Sequence, residues 1–397
     1  MQIIVNMKTT FIGISILALA SGSVAQSTSA TPPEKPVITI GCDDARIALA
    51  PYAWKLTGSG ATARAEASMP GAYLKLDFEG STEVGLLVDG AANVGALPPS
   101  MPVIDYSVDD GAFSTTQLSR TGEIYALPLA QALDAGKRHH VEVYFRAASL
   151  TPDRWTQSTH HLRIAGVQLD AGARLVSPGM RAKRAIAFGD SITEGVNVEG
   201  NVPYYSNLLM NNARGTWLPI VCAALGCEYG QLGTGGQGMV TTTLQIPPLP
   251  QTWDHYDASS SRLKNGLLEP EPDYIFSEMG TNDFAEKDKK RTHLDITEAY
   301  RGWLTAVRKS SPNARIFCIT PPLGWHASEV QAAVHARNQA GDAKVYLIDT
   351  APLAAGFKPD GATMLAGDGV HPSQYGNAIL GALIAAETQK AVDGRGR

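Results

Sequence analysis

The sequence predicts an all-β sandwich followed by a three-layer α/β domain built on a five-stranded parallel sheet, and three observations carry that reading. Apolar and polar residues alternate with a period of two through the first part of the chain. From Lys183 onward, short continuous apolar runs alternate with helix-length segments. The residues with catalytic potential gather in the loops that directly follow those runs.

At 397 residues the chain has room for about two domains, and its formal charge of −5 is small for that length. No block of lysines or arginines stands out, so neither nucleic acid nor an anionic membrane surface is supported as a partner. Residues 1–25 read as a signal peptide: "FIGISILALA" follows Met7-Lys8, Met7 being a candidate start, and small residues lead to an A-x-A-like end at Ser23-Val24-Ala25. A secreted or periplasmic location is therefore expected. No later segment offers a long uncharged run, so no membrane span is expected. In an oxidising compartment Cys42, Cys222, Cys227 and Cys318 have two readings, disulfides or buried thiols, and spacing leaves both open.

A Ser/Thr/Pro-rich linker (26–36) leads into the sandwich (37–178). "YLKLDFEG" places Leu74, Leu76 and Phe78 on one strand face and Lys75, Asp77 and Glu79 on the other, which predicts one face buried and one wet. In "VIDYSVDDGAFSTTQL" the Asp109-Asp110-Gly111 triplet lies between two strand-like runs, a hairpin signal. "HVEVYF" and "HLRIAGVQL" continue the pattern.

The α/β domain (179–397) is read from apolar runs at Ala185–Phe188, Tyr229–Leu232, Tyr274–Met279, Ile316–Thr320 and Val345–Ile348, which make the five strands. The clearest helix is predicted to begin at Asp295 as cap, with Glu298 completing a capping box and Ile296, Tyr300, Trp303, Leu304 and Val307 forming an apolar stripe. Trp217, Trp253 and Trp303 are assigned to the core.

Loops after parallel strands share one crevice. Here they contain "GDS" (Gly189–Ser191), "GTGGQG" (Gly233–Gly238), "GTND" (Gly280–Asp283) and "DGVHP" (Asp368–Pro372). A serine hydroxyl needs a base to become a nucleophile, and the base needs a carboxylate to fix its tautomer; Ser191, His371 and Asp368 supply that set. The oxyanion formed on attack needs preorganised donors, and the Ser191 and Gly236 amides with the Asn282 side chain fit. "GTGGQG" leaves the register of the glycine open by one or two positions.

These four blocks resemble, over roughly residues 184–392, the SGNH (GDSL-like) hydrolase superfamily, which carries Ser, Gly, Asn and His in this order. The resemblance implies a flavodoxin-like catalytic fold, Ser191 as nucleophile, His371 as base, Asp368 in a D-x-x-H arrangement orienting it, and Ser191, Gly236 and Asn282 as the oxyanion hole. No cofactor is implied. A jelly-roll-like sandwich before such a domain is similar to carbohydrate esterase family 2, secreted enzymes that remove acetyl groups from plant polysaccharides, and "LRIAGVQLDAGARLVSP" resembles the passage joining the two domains there.

Other readings stay in view. The chain has no G-x-S-x-G elbow, which disfavours an ordinary α/β-hydrolase. His139-His140 and His160-His161 are read as strand neighbours pointing to opposite faces, so no metal site is expected from them. Trp325 is a candidate for stacking on a sugar ring, with packing as the alternative. Asp283 is expected to cap or brace its loop. The leading function is an exported O-acetyl esterase acting on an acetylated polysaccharide or oligosaccharide, with no obligate protein partner. The alternatives are an exported lipase, arylesterase or thioesterase on the same machinery, and a non-catalytic glycan-binding protein.

Overall fold

A computed structural model describes residues 35–151, 153–157, 159–200, 207–244, 246–284, 293–357 and 364–394. The predicted signal peptide and all but the last two residues of the predicted linker lie outside them. Pro36–Arg397 forms one compact unit.

The sandwich consists of two six-stranded antiparallel sheets. One runs Lys55–Thr57, Arg64–Ala67, Leu162–Asp170, Val84–Asp89, Ile124–Ala130, with Val37–Gly41 also on Leu162–Asp170. The other runs Arg174–Val176, Tyr73–Glu79, Arg138–Ala147, Val103–Val108, Ser114–Gln117, with Ala48–Leu49 on Tyr73–Glu79. Register places Leu76 opposite Val141 and Leu74 opposite Val143, and all four are buried with Phe78, Leu86 and Ile164 between the sheets. The predicted hairpin is present. Asp109 and Asp110 both have positive φ (54° and 57°) and the Gly111 N–H donates to Val108 O at 3.0 Å, the type I′ geometry that suits strand twist.

The second sheet departs from expectation on its outer face. Lys75 and Asp77 are not wet: their side chains are 14% and 9% exposed. Lys75 Nζ lies 3.1 Å from Glu228 Oε2, the Tyr73 hydroxyl donates to the same oxygen at 2.5 Å, and Asp77 accepts from Arg138 Nε at 2.8 Å. Lys75 is covered by a second layer, whereas Asp77 is enclosed by Arg138 and His140 of the neighbouring strand, and a desolvated carboxylate is tolerable only when paired. Tyr73 also packs on Tyr144 and Tyr229, with ring centroids 5.2 and 5.0 Å away.

That second layer is the parallel sheet: β1 (Lys183–Gly189), β2 (Cys227–Gly233), β3 (Tyr274–Glu278), β4 (Arg315–Ile319) and β5 (Val345–Ile348), in spatial order β2-β1-β3-β4-β5. The five predicted strands match within two residues at each end. Edge strand β2 is covered by the sandwich: the Tyr229 N–H donates to the Tyr73 hydroxyl at 3.0 Å, and Pro51 O comes so close that a Cβ on Gly230 would lie 2.3 Å from it. The strands read as continuous apolar runs because both faces are buried. Ala185, Ala187, Phe276 and Phe317 share a core with Trp217 of α2 (Trp217–Leu225) and with Leu380 and Ile384 of α5 (Gln374–Val392). Ile186, Phe188, Ile275 and Ile316 share another with Tyr300, Trp303, Leu304 and Val307 of α3 (His293–Ser310) and Val330 and Val334 of α4 (Ala327–Gln339). Trp217, Trp253 and Trp303 are buried as expected; truncating Trp303 to Ala costs about 3–5 kcal/mol.

Two expectations are corrected, and the open question of the cysteines is answered. Helix α3 begins at His293, so Asp295 lies in its first turn and is not the cap, although all five stripe residues are buried. His160 and His161 lie in the bend before Leu162–Asp170, not on the strand; His161 Nδ1 pairs with Glu66 at 2.5 Å and burial pushes His160 down to about 4. His139 and His140 do lie on a strand and pair separately with Asp109 and Asp77. The four cysteines are buried free thiols, with Cys227 Sγ donating to Cys222 O. Among the described residues no helix is long and apolar enough to cross a membrane.

Candidate active site

The order β2-β1-β3 places a topological switch point between β1 and β3, so the loops after these strands open a crevice at their carboxyl ends. Gly189 ends β1, and a Cβ there would lie 2.0 Å from Thr193 Oγ1. Asp190 then caps a single helical turn, α1 (Ser191–Glu194), its Oδ1 accepting the Ile192 N–H at 2.9 Å, and Gly195 closes the turn with φ 90°. Asp190 is wholly buried, and burial pushes its carboxyl up to about 7 despite that hydrogen bond.

Ser191, at the start of this turn, meets a histidine 180 residues away. Ser191 Oγ lies 2.8 Å from His371 Nε2, and His371 Nδ1 lies 2.7 Å from Asp368 Oδ2. Because a carboxylate can only accept, Nδ1 carries the proton and Nε2 is left to accept from the serine. Asp368 is itself fixed: Oδ1 accepts the Val370 and His371 N–H groups at 3.0 Å each, and Oδ2 accepts from Asn197 Nδ2 at 2.6 Å. Burial opposes its charge, but the hydrogen bonds from the His371 side chain and backbone and from Asn197 outweigh burial and hold the carboxyl below the usual range.

The glycine loop after β2 separates its amides by role. Gly235 N–H donates to Glu194 Oε2 at 2.6 Å and Gly238 N–H to Thr241 O at 2.9 Å. The N–H groups of Gly236 and Ser191 have no acceptor among the described residues. Gly236 has φ 75°, and a Cβ there would come within 2.3 Å of Thr243 Oγ1. Asn282 follows β3 and donates from Nδ2 to Gln237 O at 3.1 Å, which leaves its second N–H. Asp283 braces the neighbouring loop, not its own, accepting from the N–H groups of Met239, Val240 and Thr241 at 2.8, 2.8 and 3.1 Å.

Three residues of this constellation escaped sequence reasoning. Asn197 holds Asp368. Glu194 accepts Gly235 with one oxygen and Arg154 Nη2 with the other at 2.5 Å, and Arg154 Nη1 also donates to Ser68 O at 2.7 Å. Arg154 belongs to the sandwich, so its contact could not be read from spacing; Glu194, three residues after Ser191, was within reach of the motif. Beside this linkage a cavity of about 650 Å³ opens between Met69, Leu150 and Trp155 on the sandwich side and Thr234, Thr243 and Tyr256 on the other. Trp325 is half-buried in the loop after β4, its carbonyl 3.5 Å from where a Cβ of Gly280 would stand, and it does not line this cavity.

Comparison with known proteins agrees with this architecture. The GDSL-like Lipase/Acylhydrolase family model matches residues 187–379. The chain carries a GDSL-like lipase/acylhydrolase domain. It is 24% identical over 327 residues to the cellulase/esterase CelE of Acetivibrio thermocellus, an alignment covering 80% of this chain. The chain spans about a third (36%) of that relative's length. A family two carbohydrate esterase from Cellvibrio japonicus superposes with TM-score 0.73 at 16% identity, covering 90% of this chain and 99% of that one. An acetyl xylan esterase from the rumen bacterium Butyrivibrio proteoclasticus superposes with TM-score 0.65 at 16% identity, covering 92% and 97%. These matches extend over the sandwich as well as the parallel sheet, so the two-part fold is common to them.

Proposed function

We propose that this protein is an exported serine esterase that removes O-acetyl groups from a polysaccharide or oligosaccharide. The Ser191–His371–Asp368 hydrogen-bond chain carries the reading. Ser191 Oγ attacks the ester carbonyl as His371 Nε2 takes its proton, and Asp368 stabilises the imidazolium that results. The carbonyl oxygen, now an anion, is held by the Ser191 and Gly236 amides and the free N–H of Asn282. Collapse expels the sugar alkoxide, which His371 protonates; the same residue then activates water, which attacks the acetyl-serine and releases acetate. No step calls for a cofactor.

The cavity beside the glycine loop is lined by Trp155, Tyr256, Asp153 and Gln157, a mix of aromatic and polar side chains suited to a carbohydrate substrate. The names of the relatives, an acetyl xylan esterase and a cellulase/esterase, point to the same substrate class. Acyl preference separates this reading from a lipase. An open apolar acyl channel would gain about 0.8 kcal/mol per buried methylene, whereas a pocket closed beyond the methyl group excludes longer chains. Measured over acetyl, butyryl and octanoyl esters of one leaving group, kcat/KM should fall steeply; a rise along the series would favour the lipase.

A further inference from the structure

Three ligand-type atoms converge beside Gly280, two from residues three apart in sequence and one from a separate helix. His293 opens α3, while His326 and Glu329 lie at the start of α4; one donor atom from each falls within 4.8 Å of the others. His326 Nδ1 is 3.1 Å from Glu329 Oε1, and His293 Nδ1 meets that same oxygen. Glu329 is the floor of the cluster, its side chain only 3% exposed, and its second oxygen accepts from Ser328 Oγ at 2.7 Å. His293 is the rim, 83% exposed. The floor is fixed by an unusual backbone: His326 is held at φ 56°, a left-handed conformation rare for a non-glycine residue, and its Cβ packs 3.6 Å from the Cβ position of Gly280, directly before Thr281-Asn282.

Two imidazoles and one carboxylate, with one side open to solvent, form the donor set of a three-ligand zinc-type centre. Tetrahedral coordination at about 2.0–2.2 Å requires ligand atoms roughly 3.3 Å apart, and His326 and Glu329 already stand near that separation. Much of the cost of assembling the site has been met by folding. The carboxylate is desolvated and oriented by Ser328, and His326 Nδ1 is already directed at it. Without an ion, the two imidazoles donate to Glu329; an ion would take the place of those protons.

We propose that His293, His326 and Glu329 form a binding site for a divalent zinc-class cation, with water completing the coordination. The ion would join the start of α3 to the start of α4, beside Gly280. None of its ligands belongs to the Ser191–His371–Asp368 set, and its role is to join two helix starts rather than to polarise the ester.

The test uses the full chain carrying Ser191→Ala, so that binding is read without turnover. Protein stripped with EDTA is titrated with Zn²⁺ by calorimetry, and with Co²⁺ by visible absorption, whose intensity reports low coordination number. One equivalent of Zn²⁺, a Co²⁺ spectrum of tetrahedral type, and a rise in Tm on loading are expected. His293→Ala, on the exposed rim, should fold normally and weaken binding at least tenfold, and Glu329→Gln should do the same or more. The proposal is overturned if the parent protein takes up no ion at micromolar concentrations. It is equally overturned if His293→Ala and Glu329→Gln both bind as tightly as the parent, which would place the ion elsewhere.

Discussion

In the three central strands of the parallel sheet (β1, β3 and β4), alternate residues enter two different hydrophobic cores; in the sandwich strand Tyr73–Glu79, Leu74, Leu76 and Phe78 enter a core while Tyr73 and Lys75 meet Glu228 and Tyr229 of the α/β layer. The first arrangement leaves only the strand ends for polar chemistry, and Ser191, Gly236 and Asn282 all lie there. The second builds an interface from charged residues that have the sequence pattern of a solvent-facing strand. The difference teaches that the sandwich does more than sit beside the site. Through Arg154 and Glu194 it reaches the Gly235 amide, next to the proposed donor Gly236.

The largest effect should come from the α/β side. Ser191→Ala and His371→Ala should each lower kcat by several orders of magnitude, and Asp368→Asn by up to about 10⁴, with Tm nearly unchanged. A folded Ser191→Ala protein with near wild-type turnover of acetyl esters would remove the α/β half of the comparison.

Next is the sandwich's contribution. Glu194→Gln and Arg154→Ala should reduce kcat roughly tenfold to a hundredfold by letting the Gly235–Gly236 amides move, an effect comparable to the loss of part of an oxyanion donor. KM for a small activated acetate should change little, and Arg154→Lys should recover part of the rate. If Arg154→Ala lowers only Tm and leaves kcat intact, the sandwich is a structural support and nothing more.

The smallest effect concerns pH. Burial raises the Glu278 carboxyl well above its ordinary value, and that of Asp190 to about 7. The folded chain therefore keeps protons that the unfolded chain releases near pH 4, so this stability is complete below about pH 4 and is lost as pH rises through the folded values. Asp368 acts with the opposite sign: its stabilisation is present above about pH 4 and is lost as pH falls. Glu278→Gln should thus flatten that decline, its Tm gaining on wild type as pH rises above the ordinary carboxylate range. Parallel curves for the two proteins would contradict this.

Much of this was legible in the sequence because the chemistry is local to strand ends. "GDS", "GTND" and "DGVHP" each bring their candidate residue with its own turn, and continuous apolar runs mark the five strands. Asp283 was readable as a brace but not as a brace for another loop, since its partners Met239, Val240 and Thr241 precede it by more than 40 residues. Lys75 and Asp77 were misread for the same reason: alternation specifies two faces and says nothing of what covers the second. The Arg154–Glu194 pair joins segments from the two parts of the fold, and no pattern within either segment announces it.

The central claim is that Ser191 becomes acetylated and is then hydrolysed. Rapid quenching of the enzyme during turnover of an acetylated oligosaccharide, followed by peptide mass spectrometry, tests this most directly. An acetyl group on the peptide bearing Ser191, matched by acetate release and absent from Ser191→Ala, is the predicted result. Steady acetate release with no acetyl-enzyme at any quench time, undiminished in Ser191→Ala, would contradict it.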